Sequence, residues 1–456
     1  DSPEEHFTDT IKAACGLADP NAVWGMTQAA PELVHWLLKL GVKFNMSGYD
    51  DVDLRNFGGQ KKKRTAFAQS DTGKQIMTAM IDAVRRKEAS GMVERFSHHS
   101  FLTLRLCGNI CCGCVIRDEY SQETVELPGD AVIVATGGMH GLFGNTTGSL
   151  SNTGEVTAEL FRLGVPLANG EMIQYHPTTV KCGGKRMLIS EAARGEGGRL
   201  FAMKDGKQWY FMEEKYPELG NLMPRDITAR EIWKVSHESE VFLDMTEISE
   251  EIISNKLSGL ADDCMTYLHK DIRKEPVSVL PGIHYFMGGI LVDEQHRTPI
   301  QNLYAAGECC AQYHGANRLG GNSLLGALYG GRVAAKSACE QADVVDLSCA
   351  TQIDFPPASQ ISEIKQLNKV MQETMGVVRN ENTLLNGIQT VQALTGNLPL
   401  LGMAVLKSAL ARKESRGAHW REDYPKSNDD DYLKTTVARF DGKQIQISFV
   451  PVPERR

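Results

Sequence analysis

The spacing of apolar and polar residues along the chain predicts a mixture of helices and strands. Apolar residues recur every three or four positions in residues 1–17 and 73–90, which is the period of amphipathic helices. The pattern then changes to alternating or continuous apolar positions, which predicts strands near 93–106, 110–117 and 123–135. We therefore expect the first third of the chain to combine helices with a sheet.

Two apolar segments end in glycine-containing turns. The segment DAVIVATGG (130–138) predicts a buried strand that delivers its end into a glycine turn. The segment QNLYAAGE (301–308) repeats the arrangement, with Gly307 and Glu308 after the strand and a helix from about Asn322. In open α/β sheets, ligands bind at the carboxyl ends of the strands. The sequence therefore predicts a dinucleotide site at these two turns.

One motif that normally accompanies such a site is missing. A dinucleotide-binding sheet usually opens with GxGxxG, whose amides and following helix hold the pyrophosphate, and this sequence contains no GxGxxG. Two strand ends suited to a dinucleotide are thus present without the phosphate-binding turn. We expect the phosphate-binding part of the protein to precede Asp1.

The rest of the chain divides by composition. A long insertion, about residues 169–283, separates the two strand ends and carries its own helices and turns. After about residue 346, apolar spacing predicts helices with polar faces over 361–378, 384–396 and 401–414. The segment QIQISFVPV (444–452) predicts a short strand near the end of the chain.

Composition and charge exclude some classes of protein. The 456 residues are 42% hydrophobic and 23% charged, which is typical of a globular protein. A net charge of -8 argues against a nucleic-acid partner. No run of 18 or more apolar residues occurs, so any association with a membrane is expected through partner subunits.

Four cysteines lie close together in LCGNICCGCVIRD: Cys107, Cys111, Cys112 and Cys114. A zinc or iron–sulfur site is one interpretation. The alternative is a β-hairpin with its turn at 108–109 and small thiols packed inside. Metal sites use paired CxxC-type spacings, and no second pair follows, so we favour the hairpin and predict no metal.

Basic and hydroxyl side chains concentrate in four stretches rich in small residues. The stretches are QYHPTT (174–179), ISEAARGEGGRL (189–200), MPRD (223–226) and HYFMGG (284–289), and Arg318 in HGANRLGGNSLL (314–325) joins them. Basic donors outnumber acids, which suits a small dianionic substrate, because arginine and histidine bind carboxylates well. Each residue alone has an ordinary structural explanation; Arg225, for example, could pair with Asp226 or another acid at a helix start.

Taken together and in order, these motifs resemble the flavoprotein subunit of succinate dehydrogenase and fumarate reductase. The motifs that carry the resemblance are DAVIVATGG, QYHPTT, SEAARGEGG, MPRD, HYFMGGI, AAGE, HGANRLGGNSLL and ESRGAHWREDYP. The resemblance covers essentially the whole chain, and DSPEEHF is similar to a point well inside the family's chain. It implies an α/β fold, with a Rossmann-like FAD-binding domain, an inserted α+β capping domain and a C-terminal helical domain. The implied domains are FAD-binding over 1–168 and 284–345, capping over 169–283, and C-terminal helices with a tail over 346–456.

The resemblance also implies a role for each candidate side chain. Hydride passes between the flavin and one substrate carbon, while Arg225 exchanges a proton with the other carbon. Glu191 and Arg194 match the family's relay that returns this proton from solvent. The residues that match the carboxylate-binding positions are His176, Ser190, His284 and Arg318, with serine in place of the commoner threonine. We further expect the capping domain to close over the substrate.

The expected cofactor is FAD. The residues that match FAD-contacting positions are Thr136, Gly137, Gly138, Glu308, Ser323 and Leu324, with Glu308 at the sugar hydroxyls. The stretch SNTGEV departs from the family's NTGDG, so Glu155 is a contact with longer reach than the usual aspartate.

The family also implies partners and alternatives. We expect an iron–sulfur subunit and, through it, a membrane anchor, which places the chain in the cytoplasm at the inner face of the membrane. One alternative is L-aspartate oxidase, a relative with many of the same motifs, although HYFMGGI and NRLGGNS favour the dehydrogenase and reductase side. Another is a flavoprotein that binds FAD but does not catalyse.

Overall fold

The computed structural model describes residues 2–48, 51–69, 71–149, 151–342, 355 and 361–456. Its helices are α1 (Pro3–Ala13), α2 (Pro20–Leu40), α3 (Thr72–Ala89), α4 (Glu155–Arg162), α5 (Glu191–Gly195), α6 (Phe211–Lys215), α7 (Arg225–Val235), α8 (Glu250–Lys256), α9 (Ser258–Asp263), α10 (Asn322–Gln341), α11 (Ile361–Thr374), α12 (Glu381–Val391), α13 (Asn397–Ala411) and α14 (Asp429–Tyr432). Its strands are β1 (Leu54–Arg55), β2 (Thr65–Ala66), β3 (His99–Cys107), β4 (Ile110–Asp118), β5 (Thr124–Pro128), β6 (Val132–Val134), β7 (Leu167–Ala168), β8 (Ile173–Cys182), β9 (Lys185–Leu188), β10 (Arg199–Lys204), β11 (Lys207–Trp209), β12 (Val241–Asp244), β13 (Val277–Ser278), β14 (Leu280–Phe286), β15 (Gly289–Leu291), β16 (Leu303–Ala305), β17 (Cys310–Ala311), β18 (Lys434–Phe440) and β19 (Ile445–Pro451).

The N-terminal region is more helical than the sequence pattern indicated. Helix α1 begins after Ser2, whose hydroxyl accepts the amide of Glu5, and the chain then turns through Cys15 at a φ of 52°. Helix α2 was not predicted; it buries one apolar face and ends at Gly41, which takes the left-handed conformation that favours glycine. Helix α3 confirms the helix predicted over 73–90 to within one residue.

The cysteine-rich stretch is a β-hairpin, as expected. Strands β3 and β4 pair antiparallel, with Cys107 opposite Ile110 across the turn. Within the described ranges, no group of three or more His, Cys, Asp or Glu residues could hold a metal ion. The strand predicted over 123–135 is wrong as a single element, because β5 pairs with β4 while β6 joins a different sheet.

The two predicted strand ends lie side by side. Strands β6 and β16 pair parallel, with Val134 opposite Ala305, so both chains leave the sheet at the same edge. The prediction of a buried strand holds for Val134, which is 4% exposed, but not for Ile133, which is 41% exposed. The helix expected near Asn322 is α10, which begins at that residue.

The insertion has a hydrophobic core of its own. Buried side chains from Ile189 to Val279 form one cluster around the four-stranded sheet β11-β10-β12-β13. A second sheet, β14-β8-β9, connects the insertion to the rest of the molecule, because β8 and β14 flank the insertion along the chain. The domain limits at 169 and 283 stay a prediction.

Helix α7 of the insertion is attached to the surrounding structure at two points. The guanidinium of Arg230 lies 3.9 Å from the ring centre of Trp420, which belongs to the C-terminal part of the chain. The amide of Asn317 donates to the carboxylate of Asp226 at 3.2 Å. These contacts place the first two turns of α7 against the C-terminal region and the loop before α10.

The C-terminal helices are present where the sequence predicted them. Helices α11, α12 and α13 pack on α4 and share one large hydrophobic cluster with it, while β18 and β19 form a hairpin. The predicted domain junction at 345/346 lies outside the described residues. Among the helices of the described ranges, none combines the length and apolar character needed to cross a membrane.

A buried network of charges centres on Arg412, at the end of α13. Its Nε donates to Glu171 at 2.7 Å and its Nη1 donates to Glu414 at 2.8 Å. Its remaining N–H groups reach the carbonyl oxygens of Tyr432 and Lys434 and the hydroxyl of Thr436. The ESRGAHWREDYP stretch thus helps to join the C-terminal helices to the loop before β8.

Candidate active site

The four polar stretches of the sequence meet at one cavity of about 680 Å³. The predicted site residues that line it are His176, Ser190, Glu191, Arg225, His284, Arg318, Ser323 and Leu324. His176 and His284 come from β8 and β14, which pair with each other. Glu191 and Arg225 begin α5 and α7. The cavity is therefore assembled from both the insertion and the flanking regions.

Arg225, Glu191 and Arg194 form a continuous buried chain. Arg225 donates from Nε and Nη2 to Glu191 Oε2, at 2.9 and 2.6 Å. Arg194 donates to Glu191 Oε1 at 3.2 Å and to the carbonyl oxygen of Asn221 at 2.6 Å. Arg225 thus pairs with Glu191 rather than with Asp226. The predicted proton donor and its relay are in direct contact.

Glu191 stays ionised in this chain. Burial opposes ionisation, but the positive charges of Arg225 and Arg194 outweigh burial, so the pKa of Glu191 lies below its ordinary value. The amide of Gly58 adds a hydrogen bond to Oε1 at 3.1 Å. Both carboxylate oxygens are therefore engaged.

Arg318 is buried without a partner. Its side chain is 3% exposed, its Nε has no hydrogen-bond partner, and no ion pair with a described residue reaches its guanidinium. The guanidinium lies 4.5 Å from the ring centre of Tyr285, a cation–π contact. Burial, followed by the charge of Arg225, lowers the pKa of Arg318 to about 9. A buried cation in this condition needs an anionic ligand.

The two histidines of the cavity are neutral donors. Their ring centres lie 5.2 Å apart in an edge-to-face arrangement. Burial and nearby positive charges hold the pKa of His176 and of His284 well below the ordinary value. Each ring therefore carries one N–H, and which nitrogen bears it depends on the neighbouring groups.

Ser190 caps α5 and keeps its own proton available. Its hydroxyl oxygen accepts the amide of Ala192 at 3.2 Å, which uses a lone pair and leaves the O–H free to donate. The serine that replaces threonine at this position therefore presents the same donor to the cavity.

Sequence reasoning missed Gln174, which links three site elements. Its amide oxygen accepts from Arg225 Nη1 at 3.1 Å, and its amide nitrogen donates to Asn317 and to the backbone oxygen of Arg318, each at 2.9 Å. A signal was present, because residues two apart on a strand lie on the same face, and Gln174 precedes His176 by two.

The glycines after Arg318 have a protein neighbour. A Cβ on Gly320 would come within 2.5 Å of the Cβ of Phe57, so the loop can pass Phe57 only with glycine there. The glycine at 320 therefore allows the loop after Arg318 to lie close to the 57–60 loop.

The second group of predicted residues lies at the ends of β6 and β16. Gly137 and Gly138 follow β6, and a Cβ on Gly138 would overlap the carboxylate of Glu308 and the ring of Phe286. Glu308 Oε1 accepts the amide of Phe286 at 3.0 Å. The half-buried Glu308 carboxylate and the neighbouring Thr136, which is exposed, form an open polar edge that fits the sugar hydroxyls of a dinucleotide.

Of the other predicted cofactor contacts, two line the cavity and one does not. Ser323 and Leu324 lie in the first turn of α10 and line the cavity, and Leu324 is 42% exposed. Glu155 is an exposed residue at the start of α4 and does not line the cavity. Its role as a cofactor contact stays a prediction.

A parallel strand pair ending beside a cationic cavity defines an enzyme that acts on a small anion with a nucleotide cofactor. Residues 1–324 match the FAD binding domain family, and residues 394–455 match the family described as fumarate reductase flavoprotein C-term. The chain belongs to the succinate dehydrogenase and fumarate reductase flavoprotein family, and it is an FAD-dependent oxidoreductase.

Relatives in sequence and structure agree with this assignment. The chain is 36% identical to the succinate dehydrogenase flavoprotein subunit of Bacillus subtilis, over 100% of this chain and 88% of that one. It is 31% identical to the L-aspartate oxidase of a Nostoc strain, over 96% of this chain and 84% of that one. The solved structure of E. coli quinol fumarate reductase superposes with a TM-score of 0.89 at 27% identity, covering 99% of this chain and 87% of that chain.

Proposed function

We propose that this chain is the catalytic flavoprotein subunit of a fumarate reductase or succinate dehydrogenase and interconverts fumarate and succinate. The observation that carries the proposal is the buried, unpaired guanidinium of Arg318, which shares one cavity with the Arg225–Glu191 pair. One element binds a carboxylate, and the other moves a proton within the same enclosed space.

The charge of the site suits a dicarboxylate. The predicted catalytic and substrate-binding residues include three buried guanidinium groups, on Arg194, Arg225 and Arg318, and one buried carboxylate, on Glu191. Because the two histidines are neutral, these groups carry a net charge of about +2, which a dianion balances. The remaining donors of the cavity, on His176, His284 and Ser190, supply neutral hydrogen bonds to the two carboxylate groups.

The chain itself supplies substrate orientation and proton transfer. The residues at the ends of β6 and β16 and at the start of α10 would hold FAD, which would supply hydride chemistry at one central carbon of the substrate. During fumarate reduction, Arg225 donates a proton to the other central carbon, and it accepts one in the reverse direction. Glu191 is ionised at rest, so it reprotonates Arg225 across the 2.6 Å contact as it takes up a proton from Arg194 across the 3.2 Å contact, and Arg194 regains its proton from solvent. Arg318 and the histidine donors stabilise the charge that develops on the substrate carboxylate.

The arrangement favours succinate and fumarate over aspartate. An amino group on the substrate needs a carboxylate or carbonyl acceptor. Among the predicted site residues that line the cavity, Glu191 carries the one carboxylate, and Arg225, Arg194 and the amide of Gly58 already occupy both of its oxygens. An ammonium group would therefore lie among cations without a partner.

The same proposal includes partners and location. The partner that would exchange electrons with FAD is an iron–sulfur subunit, which a membrane anchor holds in turn, so the chain lies in the cytoplasm at the inner face of the membrane. Relatives named as flavoprotein subunits support this arrangement. Affinity purification of the full-length protein from its own cells tests it: iron and acid-labile sulfide should accompany the flavin, and the complex should sediment with membranes.

Assays of the full-length flavin-loaded protein test the reaction. Fumarate reduction with reduced viologen, succinate oxidation with an artificial acceptor and aspartate oxidation are measured side by side. Turnover of the first two, with little of the third, is expected. Turnover of aspartate alone would identify an L-aspartate oxidase, and bound flavin without any turnover would identify a flavoprotein that does not catalyse.

A further inference from the structure

Two consecutive threonines each hold one buried histidine. Thr146 Oγ1 lies 2.9 Å from Nδ1 of His140, and Thr147 Oγ1 lies 2.8 Å from Nδ1 of His284. His140 faces Glu308 on the cofactor side, and His284 lines the substrate cavity. We propose that Thr146 and Thr147 are positioning residues, each of which fixes the tautomer of its histidine so that the Nε2–H points towards an anionic group.

On the cofactor side, the direction of the hydrogen bonds follows from a count of protons. The amide of Gly148 donates to Thr146 Oγ1 at 3.3 Å, so the oxygen already accepts one bond. Among the described residues, His140 Nδ1 is the acceptor that lies within reach of the single hydroxyl proton, so the proton goes to it and the ring proton is on Nε2. That nitrogen lies 3.6 Å from Glu308 Oε1, an electrostatic contact rather than a hydrogen bond.

The ring of His140 cannot easily leave this position. It packs edge-to-face on Phe286, with ring centres 5.0 Å apart, and a Cβ on Gly148 would overlap its atoms. Glu308 Oε1 thus accepts a hydrogen bond from the amide of Phe286 and lies in electrostatic contact with the Nε2–H of His140. Its second oxygen is left to accept a hydroxyl of FAD.

On the substrate side, the same reasoning applies to Thr147. Its hydroxyl has one proton and two neighbours: Nδ1 of His284 at 2.8 Å and the carbonyl oxygen of Ile283 at 3.3 Å. The carbonyl oxygen of Ile283 already accepts the amide of Thr147 at 3.0 Å, so the hydroxyl proton goes to Nδ1 of His284 across the shorter contact. The neutral ring of His284 then carries its N–H on Nε2 and can donate to a carboxylate. This arm rests on the proposed function, because it takes His284 as a substrate-binding residue.

A crossed pair of substitutions tests the inference in the full-length protein. Thr146→Val and Thr147→Val remove one hydroxyl each and keep the shape of the side chain. Flavin loading is measured as the FAD concentration that half-saturates flavin-free protein, and substrate binding as the Kd of fumarate for the oxidised holoenzyme. Thr146→Val should raise the half-saturating FAD concentration about three- to tenfold and leave the Kd of fumarate within about twofold of wild type. Thr147→Val should raise the Kd of fumarate about three- to tenfold and leave the half-saturating FAD concentration within about twofold.

Conservative variants separate positioning from folding. Thr146→Ser and Thr147→Ser keep the hydroxyl and should restore both quantities. The inference is overturned if each valine variant shifts both quantities together, if neither variant shifts its own quantity, or if serine fails to restore it. If the wild-type protein binds no dicarboxylate, the proposed function fails, while FAD loading of the Thr146 variants still decides the cofactor arm.

Discussion

Two arginines of this protein are equally buried but differently satisfied. Arg412, in the buried C-terminal charge network, donates hydrogen bonds to Glu171, to Glu414 and to three further oxygens. The guanidinium of Arg318, at the cavity, has no hydrogen bond to any described residue and lies over the ring of Tyr285. Arg318 lies within one of the motifs that carry the family resemblance, and Arg412 lies two residues before another of them.

This difference in hydrogen bonding separates buried charges that stabilise the fold from buried charges that are available to bind a ligand. When all donors of a buried guanidinium are paired, its hydrogen bonds and ion pairs within the protein offset the free energy lost by removing the charge from water. When a buried guanidinium has no partners, nothing in the protein offsets that loss, and the group destabilises the fold until a ligand binds. Arg225 is intermediate, because Glu191 and Gln174 take three of its N–H groups and the side chain still lines the cavity.

Substitution of Arg225 should have the largest effect. Arg225→Ala and Arg225→Lys should lower kcat about a thousandfold, because lysine keeps the charge but presents its proton from a different point. Binding of fumarate and the flavin spectrum should change little. Steady-state kinetics and fumarate titration measure both; kcat within a few-fold of wild type in either variant removes Arg225 from the mechanism and makes it a second structural arginine.

Substitution of Arg412 should affect stability instead. Arg412→Ala leaves Glu171 buried without its cation and leaves Glu414 paired with Arg416 alone, so the free energy of unfolding should fall by about 3–5 kcal/mol. Lys413→Ala, at the exposed neighbouring position, is the matched control and should stay within about 0.5 kcal/mol of wild type. Denaturant unfolding measures both variants. Equal, small changes would show that the saturated network does not stabilise the fold.

Substitution of Arg318 should weaken substrate binding and leave stability unchanged, the opposite of the effect expected for Arg412. Arg318→Ala removes a charged hydrogen-bond donor worth about 1.5–3 kcal/mol, so the Kd of fumarate should rise about 10- to 100-fold. The Tm without substrate should not fall, because the substitution removes a buried charge that has no partner in the substrate-free protein. Arg332→Ala, on the exposed surface of α10, is the control and should change neither quantity. A lower Tm with unchanged fumarate affinity would place Arg318 with Arg412.

The smallest expected effect is that of pH on substrate binding. A histidine with an ordinary pKa gains charge on acidification and would bind a dianion more tightly as the pH falls from 8 to 6. Burial and nearby cations hold the pKa of His176 and of His284 well below that range, so both rings stay neutral. The Kd of fumarate should therefore vary by less than about twofold between pH 8 and 6. A marked tightening at pH 6 would show that a histidine charges in the free enzyme.

Local patterns predicted the parts of this molecule that local physics determines. Helix α3 and the two strands that end in glycine turns followed from apolar spacing, and the polar motifs converged at one cavity. The parallel pairing of β6 with β16 and the contact of Arg412 with Glu171, 241 residues apart in sequence, could not be read from any single segment. The contact of Thr147 with His284 was missed for the same reason, since the tertiary fold supplies the partner.

The attachment of α7 has a mechanical consequence. The contact of Arg230 with Trp420 and the hydrogen bond of Asp226 with Asn317 hold the N-terminal half of this helix, which includes Arg225, against the surrounding structure. If the insertion closes over the substrate, as the sequence predicts, atoms near these two contacts move through a shorter arc than atoms farther from them. We therefore expect Arg225 to keep its position at the cavity while the outer part of the insertion moves.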